Sequence, residues 1–141
     1  MKYGGVMNER RDFLKGSVVA VAALTVGLGT RVQASQGIVL PGIIYTKDNP
    51  GKWEAKVGSH APEVKIEGSK VMVKTNHPMS DAHFIVRHSL VLEDGNVVGA
   101  ATFTSKDAPE SSYDLPAGYK GKIYATSFCN LHDFWLTETS I

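Results

Sequence analysis

The sequence predicts an all-β protein, an immunoglobulin-like antiparallel β-sandwich of about seven strands preceded by a signal peptide. Three observations lead there. Seven short runs rich in β-branched and aromatic residues follow one another over about 80 residues, each bounded by turn formers. Between two of them "EDGN" places Asp94-Gly95 at a strand reversal, where glycine accepts positive φ without penalty. No helical period of useful length appears after the signal.

The N-terminus reads differently from the rest. "ERRDFLKGS" sets Arg10 and Arg11 ahead of Phe13, Leu14 and Lys15, followed by the apolar run "VVAVAALTVGLG", an order that resembles a twin-arginine export signal. The apolar stretch from Gly16 to Thr30 is glycine-diluted and about 15 residues long, short of the ~20 that a membrane-crossing helix needs. "VQA" at 32–34 has the small-x-small form of a signal peptidase site, which puts the mature start at Ser35. Residues 1–34 are therefore expected to be the signal and 35–141 a single domain in the periplasm or another extracytoplasmic space. An uncleaved anchor is the competing reading.

From Ser35 to Pro62 the chain is rich in Gly, Pro, Asn and Lys and reads as a loop-rich entry. The strands then follow as "EVKIEG", "KVMVKT", "HFIVRHSLVLE", "NVVGAATFTS", "SSYDLP", "KIYATSFC" and "FWLTETSI". With 141 residues, 43% hydrophobic and 21% charged, the composition suits one compact core. Residues 1–34 hold five of the fifteen basic residues and two of the fourteen acidic ones, so the remainder carries ten and twelve, a net charge of −2. That balance gives no footing for nucleic acid, whose binding rests on dense phosphate neutralisation.

The chemistry-bearing residues lie beyond the signal. Its one cysteine, Cys129, can form no internal disulfide, and His132 follows it by three. Of the five histidines, His60, His77, His83 and His132 sit at strand ends or in turns, where side chains from different strands converge. Pro78 biases His77 towards extended backbone. Cys-x-x-His is a weak motif alone, and a buried structural cysteine explains one such pair as well. A thiol together with four loop histidines in so small a chain points to a metal site. His88 is the exception: it alternates with Val86, Leu90 and Leu92 in mid-strand and is expected to be a packed core histidine.

Ligand count discriminates between metals. Structural zinc closes at four ligands, leaving one donor surplus. A blue-copper site takes two histidines, a cysteine and a weak axial Met; the tail after Cys129 has no Met, and although Met79 is a candidate, two histidines would be left over. Iron accommodates four imidazoles, an axial thiolate that pushes electron density across the metal, and a sixth exchangeable position for a small oxidant. Iron leads on this count, with copper the runner-up.

The blocks "SHAPEV", "HPMSDAHFI" and "CNLHDFW", in that order over residues 50–141, resemble the superoxide reductase family, the desulfoferrodoxin and neelaredoxin group, in its one-iron form. The resemblance implies an immunoglobulin-like sandwich and one non-haem iron per chain, cycling between Fe2+ and Fe3+. It implies His60, His77, His83 and His132 as imidazole ligands and Cys129 as the axial thiolate. One cysteine cannot build the four-cysteine second iron centre of larger members. Two departures stand out. The family commonly has Glu-Lys before the first ligand histidine, the Lys attracting superoxide; here those positions are Gly58 and Ser59, and Trp53 precedes His60 by seven, a lengthened spacing from which Lys56 or Glu54 could reach the site. Asp133 stands where a glycine commonly follows the last ligand histidine.

The expected activity is therefore one-electron reduction of superoxide to hydrogen peroxide by an exported enzyme. Cys129 is the thiolate that assists electron donation, and Lys56 the steering charge. The expected partners are superoxide and an external one-electron donor, rubredoxin-like or a cytochrome, with no nucleic acid; a homo-oligomer is expected. Two other functions fit the same residues: an iron or copper electron carrier without turnover, and a sensor that holds a diatomic such as nitric oxide. Twin-arginine export suits all three, since it carries folded proteins and lets iron enter in the reducing cytoplasm.

Overall fold

Eight strands form two sheets in the computed structural model, which describes residues 40–141. The signal assigned to residues 1–34 and the start at Ser35 lie outside the described residues. Among the described residues no helix is long and apolar enough to cross a membrane.

All seven expected runs are strands: β2 (Glu63–Glu67), β3 (Lys70–Lys74), β4 (Ile85–Leu92), β5 (Val97–Thr102), β6 (Glu110–Asp114), β7 (Lys122–Cys129) and β8 (Asp133–Ser140). β2, β3 and β6 form one antiparallel sheet; β8, β7, β4 and β5 form the other in that order. The Asp94-Gly95 reversal joins β4 to β5, with Gly95 at φ 87°. Along β7 every second side chain is buried, and Ile123, Ala125, Leu90 and Leu92 meet Val71, Val73 and Tyr113 of the other sheet. This apolar interlayer is the main fold-wide driving force, at about 25 cal/mol per Å² removed from water.

The entry segment departs from its expected loop. β1 (Ile44–Tyr45) adds an eighth strand, parallel to β8 in an otherwise antiparallel sheet, and buries Tyr45 against Trp135. A 3-10 helix (Gly51–Lys56) then runs into a single turn, α1 (Val57–His60). Two residues and one turn are too short for hydrophobic periodicity to register.

One expectation about β4 is also corrected. His88 shares its buried face with Leu90 and Leu92, whereas Val86 is only half-buried. The register opposite β7 shifts between Ile85 and Arg87: Cys129 faces Ile85 and Phe128 faces Arg87, leaving Val86 as the extra residue of a bulge. The bulge puts Ile85 into the core beside Cys129.

His88 itself is fully buried and bridges the two sheets. Its Nε2 lies 2.8 Å from Thr75 Oγ1, which donates to Ser127 Oγ at 3.0 Å, and its Nδ1 lies 3.0 Å from Ser111 Oγ. Phe103 stands edge-on to the ring. Burial lowers the His88 pKa to about 4 from its usual 6.5, since none of these neighbours carries a charge to offset desolvation. A group depressed in this way stabilises the fold above pH 6.5 and loses that contribution as pH falls towards 4. His88→Gln should cost ~1–2 kcal/mol at neutral pH through the altered hydrogen bonds. It should leave metal content unchanged and make stability fall less steeply than in the parent between pH 6.5 and 4. Urea unfolding of the metal-free proteins across that range measures the difference, and parallel curves would contradict it.

Candidate metal centre

Four separate parts of the chain deliver the donors. α1 ends at His60 because Ala61, preceding Pro62, takes extended backbone, at ψ 123°. His77 lies in the β3–β4 connection, its amide bonded to the Thr75 carbonyl at 2.8 Å. His83 is fixed by a reciprocal pair of backbone bonds with Ser80, at 2.9 and 3.0 Å. Cys129 is the last residue of β7, and a three-residue turn, 130–132, returns the chain to β8 with His132 beside the thiol.

One ligand atom from each of His60, His77, His83, Cys129 and His132 falls in a group whose members all lie within 4.8 Å of one another. Three nitrogen contacts run round the group: His60 Nε2 to His132 Nδ1 at 2.9 Å, His132 Nδ1 to His83 Nε2 at 2.9 Å, and His83 Nε2 to His77 Nε2 at 3.0 Å. Cys129 Sγ lies 3.6 Å from His132 Nδ1 and 4.0 Å from His77 Nε2. His88 is not in the group.

These nitrogen contacts are not a hydrogen-bond chain. A ring nitrogen offers one in-plane direction, either a proton or a lone pair, yet His132 Nδ1 and His83 Nε2 each approach two other nitrogens. Lone pairs converging on one point explain the pattern. For metal–nitrogen bonds of about 2.0–2.1 Å, ligands at right angles stand about 2.8–3.0 Å apart, and tetrahedral ones about 3.3–3.4 Å. The three nitrogen contacts match the right-angled spacing, and the sulfur, 3.6 and 4.0 Å from two of these nitrogens, lies beside the same group, so the donor chemistry fits one metal ion.

Electrostatics favour the neutral rings that ligation requires. His60 and His77 are buried, and desolvation, followed by the neighbouring histidines, lowers each pKa to about 4. His132 is lowered too, first by burial, then by His83 and by Lys56. The His60 tautomer is set from behind: Nδ1 lies 2.8 Å from Ser59 Oγ and 3.2 Å from the Lys56 carbonyl, and Ser59 Oγ donates to that carbonyl at 3.3 Å. The ring therefore donates from Nδ1 and turns the Nε2 lone pair into the cluster. His77 Nδ1 is buried with no partner that meets hydrogen-bond geometry.

The centre has a core side and a solvent side. Cys129 is fully buried with Ile85, Phe103 and Met79, whereas His83 and His132 are half-buried. Met79 packs against the same cluster, and its Sδ accepts the Ile85 amide at 3.3 Å. Lys56 is half-buried and its charge contributes to lowering the pKa of His77 and His132; Glu54 is exposed.

Sequence reasoning registered Ser59 only as a missing lysine and Asp133 only as a missing glycine, and both have structural roles. Asp133 holds φ 63°, the left-handed conformation that closes a three-residue hairpin turn and that glycine adopts freely. Its carboxylate accepts the Trp53 indole N–H at 3.4 Å and lies 3.9 Å from Lys52 Nζ. Trp53 in turn stands edge-on to His132, ring centroids 4.5 Å apart. Trp135, fully buried, donates to the His132 carbonyl at 3.0 Å. Trp53 and Asp133, 80 positions apart, left no local signal.

The fold and site together define a small β-sandwich protein with a partly exposed cluster of four histidines and a cysteine that could hold a metal ion. The desulfoferrodoxin family model matches residues 52–138, and the chain belongs to that family. A twin-arginine translocation signal model matches residues 7–27. A superoxide reductase of Pyrococcus abyssi is 31% identical over 108 residues, covering 64% of this chain and 92% of that protein. A putative superoxide reductase of Archaeoglobus fulgidus is 30% identical over 113 residues, covering 61% and 90%. Among solved structures, the superoxide reductase (neelaredoxin) of Ignicoccus hospitalis superposes with a TM-score of 0.59 at 27% identity, covering 70% of this chain and 93% of that one.

The Asp133 conformation yields an ordering of variants. Asp133→Gly relieves the positive φ while losing the Trp53 and Lys52 contacts, whereas Asp133→Ala loses the contacts and keeps the strain. Asp133→Ala should therefore be less stable than Asp133→Gly by ~1 kcal/mol. Denaturant midpoints of the two proteins test this, and the reverse order would refute it.

Proposed function

We propose that this chain is an exported non-haem iron superoxide reductase holding one iron through His60, His77, His83, His132 and Cys129. The observation that carries the reading is the open series of three nitrogen contacts at 2.9–3.0 Å linking the four histidines, with a buried thiol at its side. Five donors exceed the closed four of structural zinc, and a blue-copper set of two histidines and a cysteine would leave two of the clustered histidines over. The family and the superoxide reductases among its relatives supply the reaction class.

When bound by the four imidazoles and Cys129, the iron would supply one electron, and the thiolate among its ligands would make that electron easier to give. The reaction so supplied would consume one electron and two solvent protons per superoxide to give hydrogen peroxide, the electron being replaced by an external one-electron donor, rubredoxin-like or a cytochrome. The chain's own residues prepare the site. Buried imidazoles stay neutral at physiological pH, Ser59 and the Lys56 carbonyl orient His60, and the Lys56 ammonium draws the anion inward. The half-buried edges of His83 and His132 form the approach. Residues 1–34 direct the folded domain, 35–141, through the twin-arginine route to the periplasm or its equivalent.

Oxidised protein should carry one iron per chain and a thiolate-to-iron charge-transfer band in the visible. Cys129→Ser should abolish the band and His83→Ala should lower iron content. One tightly held zinc per chain after expression in iron-replete cells would overturn the assignment.

Lys56→Ala should slow the bimolecular reaction of ferrous protein with pulse-generated superoxide by ~10-fold or less and flatten its dependence on salt, because steering by a single charge is screened within a Debye length. The iron spectrum should not move, since the Lys56 carbonyl that supports His60 is retained. A parent rate with the parent salt slope would remove Lys56 from the mechanism.

A further inference from the structure

We propose that Asn130 is a positioning residue that fixes His83 against the Cys129–His132 turn, an inference that rests on the metal-centre reading above. Asn130 sits between two donors in sequence but offers none itself. Its side chain instead reaches across to the segment that carries a third. Oδ1 accepts the Phe84 amide at 3.0 Å, and Nδ2 donates to the Ala82 carbonyl at 3.0 Å. These two groups flank His83 on either side. The Asn130 amide also donates to the Phe84 carbonyl at 3.2 Å, extending the β4–β7 ladder one step beyond the Ile85–Cys129 pair.

The surrounding backbone bonds isolate what the side chain contributes. His83 N and O are satisfied by Ser80, and Phe84 O by the Asn130 main chain. The Ala82 carbonyl and Phe84 amide take their partners from the Asn130 side-chain amide. Donor and acceptor are assigned without ambiguity, since an N–H needs the oxygen and a C=O needs the NH2. A side-chain amide here imitates one more residue of β-ladder at the point where the bulged strand departs from its partner. Two side-chain hydrogen bonds thereby join the main-chain Asn130–Phe84 bond in setting the distance of His83 from Cys129 and His132. Asparagine has the right chemistry and length for both bonds, whereas Asp lacks the donor, Gln adds a methylene to the reach, and Ala has neither group.

The Asn130 clamp is solvent-exposed, so water replaces much of what it contributes to folding. Its effect should fall on ligand placement. Outer groups that orient metal ligands typically change metal affinity by roughly 10–100-fold. Iron-loaded Asn130→Ala should release iron to a ferrous chelator roughly 10–100-fold faster than the parent and show a shifted charge-transfer band. Asn130→Asp, which keeps the acceptor for Phe84 and loses the donor to Ala82, should fall between. Asn96→Ala, which breaks a comparable side-chain contact to Asp94 in the distant β4–β5 turn, should release iron at the parent rate. Hydrogen exchange of the Phe84 amide in the metal-free proteins gives a readout independent of iron: protected in the parent, fast in Asn130→Ala. Parent release rates and an unshifted band in both Asn130 variants would overturn the proposal, as would unchanged Phe84 exchange. If Asn130→Ala fails to fold, Asn130→Asp decides by the same measurements. A parent that takes up no iron, yet shows Phe84 protection lost in the variant, would overturn the metal reading while leaving the clamp standing.

Discussion

Four imidazoles and a thiol brought within 4.8 Å of one another form the constraint on which the rest of the structure turns. Such crowding is unfavourable unless the rings are neutral, aimed inward and supported from behind. Desolvation and mutual repulsion secure the first condition at His60 and His77. The second is met by the Ser59 hydroxyl and Lys56 carbonyl at His60, and by the Trp53 edge at His132. The third comes from Ser80 and Asn130 around His83, and from Trp135 behind His132. A ligand atom is only as well placed as the backbone beneath it.

The sandwich serves this cluster in a graded way. Its apolar interlayer between β3, β6, β4 and β7 is remote from the donors and carries the general stability. Nearer the centre the packing turns polar: the His88, Thr75, Ser127 and Ser111 network ties the two sheets together close to where β3 gives way to His77 and β7 to Cys129. Fully satisfied buried networks of this kind favour one arrangement over sliding alternatives. The β4 bulge then re-aims the strand so that Ile85, rather than Val86, covers the thiol. The centre is consequently closed by apolar packing on the sulfur side and open along the His83 and His132 edges.

Ser59 and Asp133, where the sequence departs from the motifs expected of the family, both make contacts at the site. Ser59 supplies a hydrogen-bond partner for the adjacent His60. Asp133 accepts a left-handed backbone that glycine would take without strain, and it anchors Trp53 and Lys52 of the entry helix over the turn. The longer Trp53-to-His60 spacing is thereby folded into a 3-10 helix that still places the indole against His132.

The sequence by itself determined the all-β class, all seven strand runs, the Asp94-Gly95 hairpin, the five residues that cluster and the exclusion of His88 from them. Those features are written in short-range terms: alternation, turn formers, and residue types with few structural uses outside a metal site. Tertiary structure decided the rest. The parallel strand β1, the α1 turn and the Val86 bulge are too short to leave a period, and β1 and the bulge take shape only against strands distant in sequence. The same holds for the contacts that aim the ligands. Asn130 meets Ala82 across 48 positions and Trp53 meets Asp133 across 80. No local pattern encodes such pairs, because their free energy exists only once the sheets have assembled and brought the two ends of the chain's chemistry together.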